Sequence, residues 1–159
     1  MKTIEQLIQC LPQIGQVTWV SIRPERGGQV KVLEEVEVVE NKGLAGDHYK
    51  GKADSKRHIT LIQAEHLQAV ASMLGRESID PALTRRNIVV KGINLLALQN
   101  KQFQIGEAIL ETTGLCHPCS RMEENLGEGG YNAMRGHGGI TARIIKGGKV
   151  RIGDEVKVI

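Results

Sequence analysis

Phe103-Gln104-Ile105-Gly106-Glu107-Ala108-Ile109-Leu110-Glu111-Thr112 reads as strand, tight turn, strand, and it decides the fold class. Apolar residues of high β propensity lie on both sides of Gly106-Glu107, and the glycine permits the turn. The same pattern extends upstream. Gln16 to Arg23 is rich in β-branched and aromatic residues, and Gln29 to Leu33 and Glu35 to Val39 alternate apolar with polar. Such alternation belongs to half-buried antiparallel strands. His58 to Ile62 reads as a strand leading into a helix from Gln63 to Leu74, with Leu67, Val70, Ala71 and Leu74 on its apolar face and Gly75 as C-cap. Asn87 to Val90 is a further strand, and Leu95 to Leu98 a short apolar piece. Downstream, Gly138 to Ile145 and Lys149 to Ile159 are expected to form a hairpin turning at Gly147-Gly148. At the start, Ile4, Leu7, Ile8 and Leu11 share one face of an N-terminal helix within residues 1–15, and Cys10 lies beside that stripe as a packed or surface thiol. Many short strands with few helices predict a mainly β (α+β) chain: an antiparallel barrel or sandwich with a few short peripheral helices.

The 159 residues fit one domain, and a chain of this size buries about 70% of its unfolded surface without needing a staple. A net charge of +3 suits an anionic small ligand but is far from the basic footprint of a nucleic-acid binder. Trp19, Tyr49, Phe103 and Tyr131 are the only aromatics, too few for stacking platforms on single strands. Three cysteines do not make a disulfide framework. No run approaches a membrane span, and the N-terminus lacks the apolar core of a secretory signal, so a reducing cytoplasm is expected.

The second strand of the opening stretch runs into Cys116-His117-Pro118-Cys119-Ser120-Arg121-Met122-Glu123. Ser120 and Glu123 have capping-box spacing, so a helix is expected to start at Ser120, with Cys119 just outside it and Arg121 in its first turn. Free N–H groups, the helix dipole and a guanidinium favour thiolate over thiol. A thiolate attacks, carries sulfur or binds a soft metal. Other readings stay open. As zinc ligands the pair is one half-site, and His48, His58, His66 and His137 show no paired spacing to complete it. As a dithiol it has the form of the thioredoxin motif, which belongs near a βαβ pattern. Two ordinary cysteines in a turn would look the same.

Thr84-Arg85-Arg86-Asn87 precedes a strand. On an extended segment Arg85 and Asn87 project together and Arg86 points away, so the first two make a clamp for a phosphate or polar heterocycle. Arg135-Gly136-His137-Gly138-Gly139 has the form of a close-approach loop, whose N–H groups, with Arg135 and His137, could face an anion. A plain hairpin entry has the same appearance. Asn41 to Lys52 is a long polar loop in which Asp47 and His48 could orient each other.

In this order, Gly43-Leu44-Ala45-Gly46-Asp47-His48, Arg85-Arg86-Asn87-Ile88, Cys116-His117-Pro118-Cys119, Arg135-Gly136-His137-Gly138-Gly139-Ile140 and Gly153-Asp154-Glu155-Val156 resemble the MOSC domain, the module at the C-terminus of molybdenum-cofactor sulfurases. The resemblance covers about Trp19 to Val158, within a single domain spanning residues 1–159. It implies a β-barrel-based fold and a cysteine, at Cys119, acting as sulfur carrier or molybdenum ligand. It also implies that Arg85 and Asn87 hold a molybdopterin cofactor, as their counterparts do in amidoxime-reducing relatives. Those relatives carry an additional N-terminal barrel domain that this sequence lacks, which favours a handler of cofactor or sulfur over an independent reductase. Pyridoxal phosphate, an association of the full-length sulfurases, is not expected in this chain.

The leading expectation is therefore a protein that binds molybdenum cofactor or a related anionic sulfur compound. Cys119 is its working thiol, and Arg85, Asn87, Arg135 and His137 surround the ligand. Cys116, Asp47, His48 and Arg121 are auxiliary, Cys116 as a resolving thiol. A sulfurtransferase or a molybdoenzyme is the expected partner. The alternatives are a small thiol–disulfide oxidoreductase using both cysteines, and a non-catalytic interaction module.

Overall fold

The computed structural model describes all residues from Met1 to Ile159. In chain order the strands are β1 (Gly15–Ile22), β2 (Lys31–Leu33), β3 (Glu35–Val39), β4 (Gly43–Leu44), β5 (Ile59–Gln63), β6 (Ile88–Lys91), β7 (Gln102–Ile105), β8 (Ala108–Leu115), β9 (Ile140–Lys146), β10 (Gly148–Arg151) and β11 (Glu155–Val158). The helices are α1 (Ile4–Ile8), α2 (Ala64–Met73), α3 (Arg121–Leu126) and α4 (Gly130–Met134), with 3-10 turns at Pro81–Thr84 and Leu95–Leu98.

Seven strands in the order β11-β7-β8-β9-β5-β6-β1 close into a barrel through a pairing of β1 with β11, Gly15 opposite Val156. Closure leaves no barrel edge unpaired. The opening stretch forms the expected hairpin: Phe103 faces Leu110, Ile105 faces Ala108, and Gly106 takes φ +55°. Inward side chains from all seven strands, Phe103 and Leu110 among them, build a core of 22 buried residues that also takes in Val36, Val38 and Val150 of a small β10-β3-β4 sheet.

The barrel is mixed rather than wholly antiparallel. β5 and β6 run parallel, Leu61 beside Ile88, joined by a crossover through α2. A strand leading straight into a helix of ten residues is half of a parallel unit, because parallel neighbours need such a crossover. All five residues of β5 are buried. Ile59 and Leu61 face the barrel interior, while Ile62 packs with Leu67 and Val70 of α2 and Met122, Leu126 and Met134 of α3 and α4 in a second core of ten residues.

Two expectations are corrected. The hairpin at Gly147-Gly148 does not form: β9 pairs with β8 and β5, β10 crosses to β3, and β11 pairs with β7 and β1. The glycines serve close approach instead, since a Cβ on Gly147 would lie 2.5 Å from the Val38 carbonyl oxygen. The N-terminal helix is five residues long, and Ile4, Leu7 and Ile8 stay exposed, with only Leu11 packed on the core. A reciprocal capping box between Thr3 and Gln6 holds it.

Candidate functional site

β8 and β9 slip register between Thr112 and Gly114, a bulge that re-aims the chain just before the cysteines. The Cys116 N–H still donates to the Gly139 carbonyl at 2.8 Å, so Cys116 is held as a continuation of the ladder and its side chain is buried. Cys119 is exposed. The capping box does not form: Ser120 is in the helical region and makes no side-chain cap. Glu123 reaches forward instead, accepting from the N–H groups of Tyr131 at 3.0 Å and Gly129 at 2.9 Å. Those two bonds hold its carboxyl below the ordinary carboxylate range. α3 has only six residues, too few for a strong helix dipole at its start.

A cleft of about 170 Å³ is lined by Arg23, Asp47, His48, Tyr49, Arg57, His58, Thr60, Arg85 and Asn87. Topology explains the gathering. Arg57 and Arg85 precede the parallel strands β5 and β6, and Arg23 follows β1, whose end lies antiparallel to the start of β6. Asp47 accepts the Arg23 N–H at 2.7 Å, and His48 donates to the Arg23 carbonyl from its backbone N–H at 2.9 Å and from Nδ1 at 2.8 Å. The two do not orient each other directly: 3.8 Å separates His48 Nδ1 from Asp47 Oδ1, and both clasp the Arg23 backbone. His58 is buried, accepts the Ile144 N–H at Nδ1 and donates from Nε2 to the Lys52 carbonyl, which fixes the neutral tautomer and ties the loop to the barrel.

Asn87 Oδ1 accepts from the N–H and the hydroxyl of Thr60, both at 3.0 Å, which leaves the Asn87 amide N–H groups for a ligand. Arg85 is not on an extended segment. It caps the 3-10 turn in a left-handed conformation, φ +61°, which costs a non-glycine residue about 1 kcal/mol or more. Burial, then Arg121 and Arg23, push its guanidinium below the ordinary range, while Cys119 opposes them and Arg57 adds to them. Four guanidiniums thus share one field with a single lining carboxylate, Asp47.

Arg86 is not among the residues that line the cleft with Arg85 and Asn87, and it turns into the protein. It is buried, donating from Nε to the Gly138 carbonyl at 2.7 Å, from Nη1 to that of Thr84 at 2.9 Å, and from Nη2 to that of Cys116 at 3.0 Å. The glycine loop packs closely on the cysteine loop, since a Cβ on Gly138 would lie 2.0 Å from the Cys116 oxygen, and Gly136, Gly138 and Gly139 line a second, smaller cleft of about 100 Å³ with Cys116, His117 and Pro118. Arg135 and His137 are not among the residues lining the arginine cleft. Arg135 is exposed near Asn132, and His137 meets His66 edge to face at 5.0 Å. No group of three or more His, Cys, Asp or Glu side chains is placed to hold a metal ion.

The His66–His137 contact predicts a pH dependence. Burial, then His137, lower the His66 pKa from its ordinary 6.5, with Glu65 opposing. The unfolded chain therefore binds that proton more readily, so this contribution is complete above pH 6.5 and is lost as pH falls through the folded value. Urea midpoints measured from pH 7.5 down to pH 5.5 should fall, and His66→Gln should flatten the fall. Parallel curves for the two proteins would remove His66 as its source.

Of the cleft residues, Arg23, Tyr49, Arg57, His58 and Thr60 escaped the sequence reading. Arg57 carried a usable signal, a basic residue entering a buried strand, as Arg85 does.

The profile of the MOSC domain matches residues 45–157, and the chain belongs to the MOSC domain family. Among solved structures it is similar to the YuaD protein from Bacillus subtilis, with a TM-score of 0.78 at 21% identity over 91% of this chain and 95% of that one. It is similar also to YiiM from Escherichia coli (TM-score 0.67, 18% identity, 91% and 69%) and YiiM from Geobacillus stearothermophilus (0.70, 14%, 91% and 75%). At these identities the likeness establishes the shared barrel. No curated protein matches the sequence. The family is associated with molybdenum-cofactor-sulfurase-type proteins, and no helix is long and apolar enough to cross a membrane.

Proposed function

We propose that this chain handles an anionic cofactor or sulfur compound, with molybdenum cofactor as the favoured ligand and Cys119 as the working thiol. One observation carries the reading. Arg23, Arg57, Arg85 and the free amide of Asn87 converge on a single cleft; Cys119 is exposed and outside the set of residues that line it, but its charge acts on the Arg85 guanidinium. The residues fit the group in kind. Guanidiniums and an amide suit its phosphate end, and a thiolate is a soft donor for a sulfur-rich metal centre. Bound there, the group would supply redox chemistry at molybdenum. The chain's own part is to grip the anion with Arg85 and Arg57 and to present Cys119.

As a sulfur carrier, the Cys119 thiolate attacks the outer sulfur of a persulfide donor. The donor's S–S bond breaks, the donor leaves as a thiolate, and Cys119 keeps the sulfur as its own persulfide, with no net oxidation. A sulfurtransferase is the natural donor and a molybdoenzyme the natural recipient. A dithiol mechanism is less well supported, because Cys116 is buried and its carbonyl is tied to Arg86.

Orthophosphate tests the cleft. Arg85→Ala should weaken its binding by about 1.5–3 kcal/mol, the range for a hydrogen bond to a charged group, or roughly 10- to 150-fold in affinity. Isothermal titration of both proteins reads this directly. Equal affinities would detach the cleft from anion binding.

A further inference from the structure

Arg86 is the only buried arginine, 4% exposed, and no carboxylate pairs with it. Taking a guanidinium out of water without a counter-charge costs several kcal/mol, which hydrogen bonds only partly offset. Its bonds are not scattered. They reach Thr84 in its own turn, Gly138 at the entry to β9, and Cys116 in the cysteine loop, with His117 at 3.5 Å. A neutral donor could bridge carbonyls at lower cost, so the charge has a separate use. Burial works against the charged guanidinium, as do Arg57 and Arg85, and the groups that favour it are the thiols of Cys116 and Cys119, the first of which belongs to the residue whose carbonyl Nη2 holds. Arg86 is also covalently next to Arg85, so one peptide unit connects the side chain lining the cleft to the side chain gripping the loop.

We propose that Arg86 is a positioning residue for Cys119, holding the Cys116–Cys119 loop in register with the arginine cleft and completing from inside the cationic frame that Arg85 and Arg121 make outside. Cys116 is thereby kept in the core and Cys119 kept in the field of the frame. The inference rests on Cys119 being the working thiol.

The test uses the full-length reduced protein, iodoacetamide, and peptide mass spectrometry that follows all three thiols in each sample. Cys10 is exposed and outside the loop, so it serves as the internal reference. In Arg86→Gln, which keeps hydrogen-bonding capacity but no charge, the Cys119-to-Cys10 labelling ratio should fall about tenfold. In Arg86→Lys, which keeps a charge but not the planar fork, it should fall less, about threefold. A purely structural role has the opposite sign, because a loosened loop labels faster at Cys116 and no slower at Cys119. A ratio equal to or above wild type in a folded variant overturns the proposal. Should Arg86→Gln fail to fold, Arg86→Lys decides alone. The ratio reads the setting of the thiol whether or not sulfur is carried. Failed sulfur loading with a falling ratio therefore counts against the function and not against Arg86.

Discussion

Cys119→Ser should abolish sulfur loading and cofactor capture while leaving the fold untouched. The side chain is exposed and serine is nearly isosteric, so stability should stay within about 0.5 kcal/mol of wild type. Cys116→Ser should behave in the reverse way. It retains loading, because the working thiol is intact, but puts a hydroxyl into a buried apolar position, costing about 1–3 kcal/mol if that group finds no partner. Both variants, exposed to a small-molecule persulfide and then weighed as intact proteins, separate the mechanisms. Loss of loading in both would favour a dithiol cycle. Retention in both would leave an interaction module as the better account.

Gly139→Ala should be among the most destabilising single changes in this chain. Gly139 sits at φ +85°, and a Cβ there would lie 1.9 Å from the Leu61 carbonyl oxygen and 2.9 Å from its carbon. Those are backbone atoms of a fully buried strand, so nothing nearby can yield. The loss should be on the order of 4 kcal/mol, with strain and a forced displacement of β5 adding together. Gly136 is the control: φ is +80° and no atom lies within 4 Å, so alanine there meets left-handed strain alone, about 1 kcal/mol. Guanidinium unfolding of the two variants reads the difference. Equal midpoints would mean that the contact of the glycine loop with β5 does not constrain the barrel.

The elements legible in the sequence were those whose signal is local. The β7–β8 hairpin followed from β-prone apolar residues on both sides of the Gly106-Glu107 turn, and α2 from its apolar face and Gly75, which takes φ +69°. What failed depended on partners distant in sequence. Gly147-Gly148 looks like a turn, but the same glycines let β10 approach Val38. Ser120 and Glu123 have the spacing of a capping box, but the free N–H groups of Gly129 and Tyr131 compete for the carboxylate and win. The alternation rule applied to Arg85-Arg86-Asn87 assumed a strand, yet β6 begins only at Ile88 and the 3-10 turn reverses Arg85. Arg85 and Asn87 still share a cleft wall, by a different geometry, and Arg86 faces away from it, into the protein. The Arg23 and Arg57 contributions required strand order, which no local pattern carries.

The central claim is that Cys119 and the arginine cleft serve one ligand. Protein purified without reductant, from cells making molybdenum cofactor, can be measured for molybdenum content and intact mass, with wild type, Cys119→Ser and Arg85→Ala prepared side by side. The account predicts either molybdenum in proportion to protein or the mass of one added sulfur atom on the Cys119 peptide, absent in Cys119→Ser and reduced in Arg85→Ala. Wild type recovered bare, or sulfur found on Cys10 or Cys116 in its place, would contradict it.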